Sequence, residues 1–150
     1  MVRAAARPPL GRILALDPGR ARVGVAVSDE TQTIAQPHST ISRTRGRDGI
    51  ADIARLARDL SVARIVVGLP LQLDGAEGEA AAEARAFGAA VARATALEVT
   101  YLDERLTSRQ AERHLIASGA SRARRHQVGD QVAATLILQQ VLATRARRRA

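Results

Sequence analysis

"ILALDPGRARVGVAVSDE", Ile13 to Glu30, is the stretch whose reading decides the fold. Ile13 to Leu16 is apolar on successive residues, the pattern of a strand covered on both faces. Val23, Val25 and Val27 then alternate with Gly24 and Ala26, so a second strand presents two different faces. Pro18-Gly19 lies between the two runs, and a Pro-Gly turn joining them predicts an antiparallel hairpin. An acid closes each run, Asp17 the first and Asp29 the second. A carboxylate at the end of a strand buried on both sides needs a reason.

Working outward, "TIAQPHSTIS" reads as a third strand, at a sheet edge because Pro37 lacks an N–H donor. The period then changes. Ile50, Ile53, Ala57 and Leu60 predict an amphipathic helix from about Arg47. "ARIVVGLP" is a short buried strand ended by Pro70, and "QLDGAEG" is a loop with an Asp-Gly turn. A second helix is expected from Glu77 to Ala94, with Ala80, Ala84, Phe87 and Val91 on one side, its acids early and its arginines late. "LEVTYLD" is a fifth strand. Thr107 and Gln110 form a capping box for a third helix that Gly119 stops. "SRARRHQ" reads as a basic loop, and a last helix is expected from Gly129 or Asp130 into the arginine tail. The fold class is therefore α/β: a mixed five-stranded sheet, a three-stranded antiparallel meander plus two parallel strands, flanked by helices. With no repeat and no linker, residues 1–150 read as a single domain with flexible basic ends at 1–11 and 145–150.

The 150 residues carry a net charge of +8. All 23 basic residues are arginine; setting aside the six in the head and tail leaves 17 against 15 acids, so the excess sits mainly at the ends. Arginine favours bidentate contact with phosphate, and a basic tail can hold nucleic acid or simply be a solvated helix end. Phe87 and Tyr101 are the only aromatics, too few for a protein that grips strands by stacking bases. The absence of cysteine removes disulfide and thiolate chemistry and suits a reducing cytoplasm. No apolar run is long enough to cross a bilayer, and "MVRAAARPPLGR" makes a poor signal peptide because Asp17 interrupts the apolar run behind it. His38, His114 and His126 have no ligand-like spacing.

Three acids group by position: Asp17 after the first strand, Glu104 in "YLDER" after the fifth, and Asp130 on the last helix one turn before its apolar stripe. Three carboxylates at one sheet rim repel unless a cation sits between them, and hard oxygen ligands suit Mg²⁺ or Mn²⁺. Two such ions can activate water and stabilise the leaving oxygen in phosphodiester cleavage. Taken singly, each acid also has a local explanation. Asp17 can shape the Pro-Gly turn, Asp130 can cap a helix, and Glu104 can be a solvated charge. Asp103 competes with Glu104, since neighbouring strand residues point oppositely.

Four blocks in order, "ALDPGRARVGVAVSD", "IVVGLPLQLDGAEG", "YLDERLTS" and "DQVAATLILQQVL", span Ala15 to Leu142. In that order and spacing they resemble a bacterial family, the pre-16S ribosomal RNA nucleases, also described as Holliday-junction-resolvase-like proteins of ribonuclease H-like fold. The resemblance implies a divalent-metal phosphodiesterase with Asp17, Glu104 and Asp130 as catalytic and metal-binding acids. Mg²⁺ or Mn²⁺ would be the cofactor, two ions per site, with Asp103 and Asp74 as further candidate ligands. Gln72 stands where the family more often has Asn, which keeps an amide. A resolvase proper carries an acid at the end of its fourth strand, and "VGLPL" has none, which leaves room for a rearranged site using "DER".

The leading expectation is thus a cytoplasmic endonuclease processing the 5′ end of precursor 16S rRNA. Arg22, Arg105, Arg109, Arg122, Arg124 and Arg125 would contact phosphates, the ribosome or its precursor would be a partner, and the chain would act as monomer or homodimer. A four-way DNA junction resolvase is the alternative in the same chemistry. A non-catalytic nucleic-acid module and an ATP-binding domain of the actin and sugar-kinase type are alternatives outside it, though the latter encloses nucleotide between two such domains.

Overall fold

The structure, a computed structural model, describes residues 10–44, 46–104 and 122–149. Its strands are β1 (Arg12–Pro18), β2 (Arg22–Ser28), β3 (Ala35–Ser42), β4 (Val62–Leu69) and β5 (Val99–Asp103); its helices are α1 (Ile50–Asp59), α2 (Glu79–Thr95) and α3 (Arg122–Arg149). They build one five-stranded sheet in the order β3-β2-β1-β4-β5. β1, β2 and β3 pair antiparallel, while β4 pairs parallel with β1 and β5 parallel with β4. The carboxyl ends of β1, β4 and β5 therefore lie along one edge of the sheet.

The expected covering of β1 on both faces holds: Ile13, Leu14, Ala15 and Leu16 are all fully buried. Leu14 and Leu16 join Val23, Val25 and Val27 against Ile53 of α1 and Phe87 and Val91 of α2. Ile13, Ala15, Ala26 and Val66 turn the other way, onto Ala134, Ile137 and Leu138 of α3. Burying a side chain such as Ile137 or Leu138 contributes roughly 1.5–3 kcal/mol. That contact holds α3 flat against the sheet.

β3 is an edge strand, as Pro37 requires, and its pairing with β2 slips between Ser39 and Pro37, leaving His38 as the extra residue of a bulge. The β1–β2 connection is tighter than a Pro-Gly turn: Pro18 still pairs with Val23, Gly19 N–H donates to Arg22 O at 2.7 Å, and Arg20-Ala21 form the tip.

The helices begin elsewhere than expected. α1 starts at Ile50 rather than near Arg47, because Gly49 takes a left-handed conformation at the N-cap and the Asp48 carboxylate accepts the Ile50 N–H at 3.0 Å. α2 starts at Glu79, after Glu77 has turned to bind Arg85 at 2.6 and 2.9 Å; it buries Ala81 rather than Ala80. The largest correction concerns "SRARRHQ". From Arg122 onward this segment is not a loop but the opening of α3, and the helix runs on through Arg149. Arginine and alanine are strong helix formers, and a single interior glycine such as Gly129 costs only about 1 kcal/mol. The expected third helix around Thr107, Gln110 and Gly119 lies outside the described residues. Among the described residues no helix is long and apolar enough to cross a membrane.

Candidate functional site

β1 places Asp17 at the sheet edge, on the side facing α3 with Ile13 and Ala15. Its strand neighbours make room for it. Asp17 pairs with Gly24 of β2, and α3 rests directly on that glycine: a Cβ there would lie 2.0 Å from the Asp130 carbonyl oxygen. On the other side, a Cβ at Gly68 of β4 would lie 2.5 Å from Glu104 Oε2 and 2.7 Å from Ile137 Cδ1. Two glycines, one on each neighbouring strand, thus let two further acids approach Asp17. Glycine inside a strand weakens the strand but permits such close approach.

Glu104 follows β5, its N–H donating to Leu69 O at 3.3 Å. The even residue Leu102 packs on the α3 cluster and Tyr101 on the opposite one. Alternation therefore turns Asp103 toward α2 and away from the Asp17 face. The space over Gly68 is filled by Glu104, which follows β5, and by Ile137 of α3. Glu104 also borders a cleft of about 970 Å³ that continues past Pro18, Arg20 and Arg43 toward Glu79 and Glu83 of α2.

Asp130 lies eight residues inside α3, so it caps nothing. Its Oδ2 instead accepts a hydrogen bond from Arg22 Nε at 2.8 Å, an ion pair between β2 and α3. Arg22, expected on phosphate, holds this carboxylate through Nε while its side chain stays about one-third exposed.

The electrostatics follow from crowding and partial burial. Desolvation, then the hydrogen bond and repulsion from Asp17, then repulsion from Asp103, push the Glu104 carboxyl up to about 9. Asp17 is also raised, by desolvation first; the Glu104 hydrogen bond opposes this and the Asp130 charge adds to it. Glu104 therefore carries the proton and donates to the Asp17 carboxylate.

The remaining expectations divide. Asp74 folds onto its own loop, its carboxylate accepting the Ala76 N–H at 2.9 Å; it is a turn residue and does not border the cleft. Arg122, Arg124 and Arg125 lie on the first turns of α3. Arg105 and Arg109 lie outside the described residues. Among the described residues no three His, Cys, Asp or Glu side chains are arranged as a ready metal cage, and Asp130 faces Arg22. The Asp17–Glu104 pair nonetheless fits a divalent cation: two desolvated carboxyl groups share one proton, and a doubly charged ion would replace it with more favourable charge. Gly24 and Gly68 were not singled out from sequence as site residues, although glycine within an apolar strand signals close approach of another group.

A family profile described as RuvX, Holliday junction resolvase, matches residues 11–144. The chain belongs to the RuvX family. A relative from Rhodobacter capsulatus is 41% identical over 139 residues, covering 93% of this chain and 87% of that protein. One from Anaplasma marginale is 42% identical over 131 residues, covering 87% and 83%. Each bears the name "Putative pre-16S rRNA nuclease". Among solved structures, RuvC from T. thermophilus in complex with Holliday junction substrate superposes with a TM-score of 0.56 at 14% identity, covering 91% of this chain and 96% of that one. At that identity the likeness concerns the fold, and the expected ribonuclease H-like architecture holds for this RuvX member.

Proposed function

We propose that this RuvX-family chain is a divalent-cation-dependent endonuclease that cleaves phosphodiester bonds in structured RNA, with the 5′-extended precursor of 16S rRNA as its substrate. The observation that carries the reading is the convergence of Asp17, Glu104 and Asp130, from three distant parts of the chain, on one face of the sheet edge. The names borne by relatives above 40% identity support the substrate class.

In this reading Asp17 and Glu104 hold a Mg²⁺ or Mn²⁺ ion. When bound, the ion supplies positive charge against phosphate oxygens and acidifies water. The chain's own residues do the rest. Rigid strand backbone fixes Asp17, and Gly68 admits the Glu104 carboxylate beside it. Glu104 gives up the proton it shares with Asp17 when the site loads. Arg22 orients Asp130 and supplies one positive charge of its own, and a second ion would require Asp130 to turn from it.

A second reading, cleavage of four-way DNA junctions, is favoured by the family's description. It demands paired symmetric cuts and hence a twofold dimer, whereas 5′ trimming needs one site. The discriminating experiment offers wild-type protein a 5′-extended 16S precursor and a synthetic four-way junction in Mn²⁺. The proposal expects faster cutting of the RNA by monomeric protein; coincident nicking of the junction at the higher rate, by a dimer, would replace it with the second reading.

A further inference from the structure

Beside the acid cluster, on the side away from α3, lies a second hollow of about 630 Å³ lined by Arg20, Arg43, Thr44, Gly46, Arg47 and Asp48. It shares Arg20, Arg43 and Asp48 with the cleft that reaches Glu104. None of the arginines expected from sequence to touch phosphate lies in it. We propose that Arg20, Arg43 and Arg47 form a binding track for the phosphate backbone of a polynucleotide, leading the strand from this hollow into the cleft beside Glu104.

Three features carry the inference. The first is charge. Among the described residues none of these three guanidinium groups lies within ion-pair distance of an acid, whereas Arg22, Arg55, Arg64 and Arg85 each face one. Asp48, the acid on the rim, accepts the Ile50 N–H at the start of α1. Three arginines gathered on a concave surface, with one carboxylate among them, attract a polyanion.

The second is preorganisation. Arg43 is fixed three ways: its N–H donates to Ala21 O at 2.8 Å, its Nη1 donates to Gly19 O at 2.8 Å, and its guanidinium lies over the Phe87 ring, 5.1 Å from the centroid. Those contacts also anchor the β1–β2 tip that carries Arg20. Thr44 and Arg47 exchange backbone hydrogen bonds of 2.9 and 2.8 Å across a tight turn. The backbone at all three arginines is thus set before a ligand arrives, which reduces the entropy lost on binding.

The third is placement. Arg20 is three residues from Asp17 along a two-residue hairpin tip, and the far wall of the cleft carries Glu79 and Glu83. A basic wall opposite an acidic one admits a phosphate chain along one side only. The strand is thereby directed toward the end of β1.

The inference rests on the nucleic-acid reading above, but its test does not require cleavage. Anisotropy of a fluorescein-labelled RNA hairpin with a single-stranded 5′ leader is measured in EDTA over a KCl series. The proteins are wild type, R20Q/R47Q, R20Q/R43Q/R47Q and the control R58Q/R93Q, whose arginines sit in the last turns of α1 and α2. Each phosphate contact contributes roughly 0.7–0.9 to the slope of log K against log salt. R20Q/R47Q should flatten the slope by about 1.5 and weaken binding at low salt about tenfold, and the triple variant should do more. The control should match wild type. Because R20Q/R47Q spares the structural contacts of Arg43, its loss cannot be blamed on a displaced hairpin. A wild-type slope and affinity in that variant would overturn the track. Failure of wild type to cut any RNA in Mn²⁺ would instead sink the nuclease reading while leaving this binding result to stand.

Discussion

Arg22 of β2 holds Asp130 of α3 by an ion pair of 2.8 Å, so the third acid of the cluster reaches the sheet already partnered. The pair is about one-third exposed on each side, and such pairs contribute about 1 kcal/mol at most. R22M should therefore lower Tm by a few degrees in EDTA while increasing the rise in Tm produced by saturating Mn²⁺, because Asp130 then needs another cation. Differential scanning fluorimetry with and without Mn²⁺ reads both. Equal Mn²⁺ shifts in variant and wild type would show that Asp130 takes no part in cation binding.

Crowding at Glu104 makes metal-free stability depend on pH in a definite direction. Its folded-state value of about 9 compares with an ordinary glutamate near 4.3. Between these values the folded protein binds more protons than the unfolded chain. Stability is thus fullest below about 4.5 and declines as pH rises toward 9, and the raised Asp17 acts in the same sense. In chelator, urea midpoints should fall across that window for wild type and stay flatter for E104Q. Parallel curves would contradict the shared-proton arrangement.

Asp29 behaves oppositely. Its carboxylate accepts the Ile34 and Thr33 N–H groups, each at 2.8 Å, and the Thr31 hydroxyl, which holds it down at about 2. The stability it contributes is present above about 4 and lost as pH falls toward 2. D29A should be less stable than wild type at pH 7, with the difference in thermal midpoint shrinking as pH falls from about 4 toward 2. A difference that stays constant from about pH 5 to pH 2 would mean the loop is held by something other than the charged carboxylate.

The glycines beside Asp17 should rank by what their missing side chains admit. At Gly24 an added Cβ meets helix backbone at 2.0 Å, while at Gly68 it meets the ends of two side chains. Backbone cannot give way, so G24A should cost more than about 2 kcal/mol and lift α3 from the sheet. G68A should cost less stability yet displace Glu104, removing cleavage more completely than folding. Denaturant midpoints and cleavage rates for the two variants test the ranking, and a G68A protein cutting at the wild-type rate would show that Glu104 needs no access over β4.

Much of this was legible in the sequence because it depends on period. The unbroken apolar run of β1, the alternation of β2 and Pro37 in β3 report burial and edge directly. The positions of Asp17 and Glu104 at strand ends follow from the order of elements as well, whereas Asp130, read as a helix start, lies inside α3. What is not legible depends on contacts between distant residues. Nothing local to "SRARRHQ" says that its arginines continue a helix, since Gly129 and Asp130 imitate a helix start. The pairing of Arg22 with Asp130, 108 residues away, is a tertiary event. The same holds for Arg20 and Arg43, which meet only because the β1–β2 tip folds against the end of β3. The alternating arginines and glycine of "SRTRGRD" were the one available hint.

The central claim is that Asp17 anchors a cation-dependent phosphodiesterase site, and the most direct measurement is single-turnover cleavage of a 5′-extended 16S precursor in Mn²⁺ by wild type and D17N. Wild type should cut, and EDTA should stop it. D17N, with an unchanged far-ultraviolet circular dichroism spectrum and a Tm no lower than that of wild type, should be slower by a factor on the order of 1,000 or more, about 4 kcal/mol in the barrier. Cleavage by D17N at the wild-type rate would contradict the account.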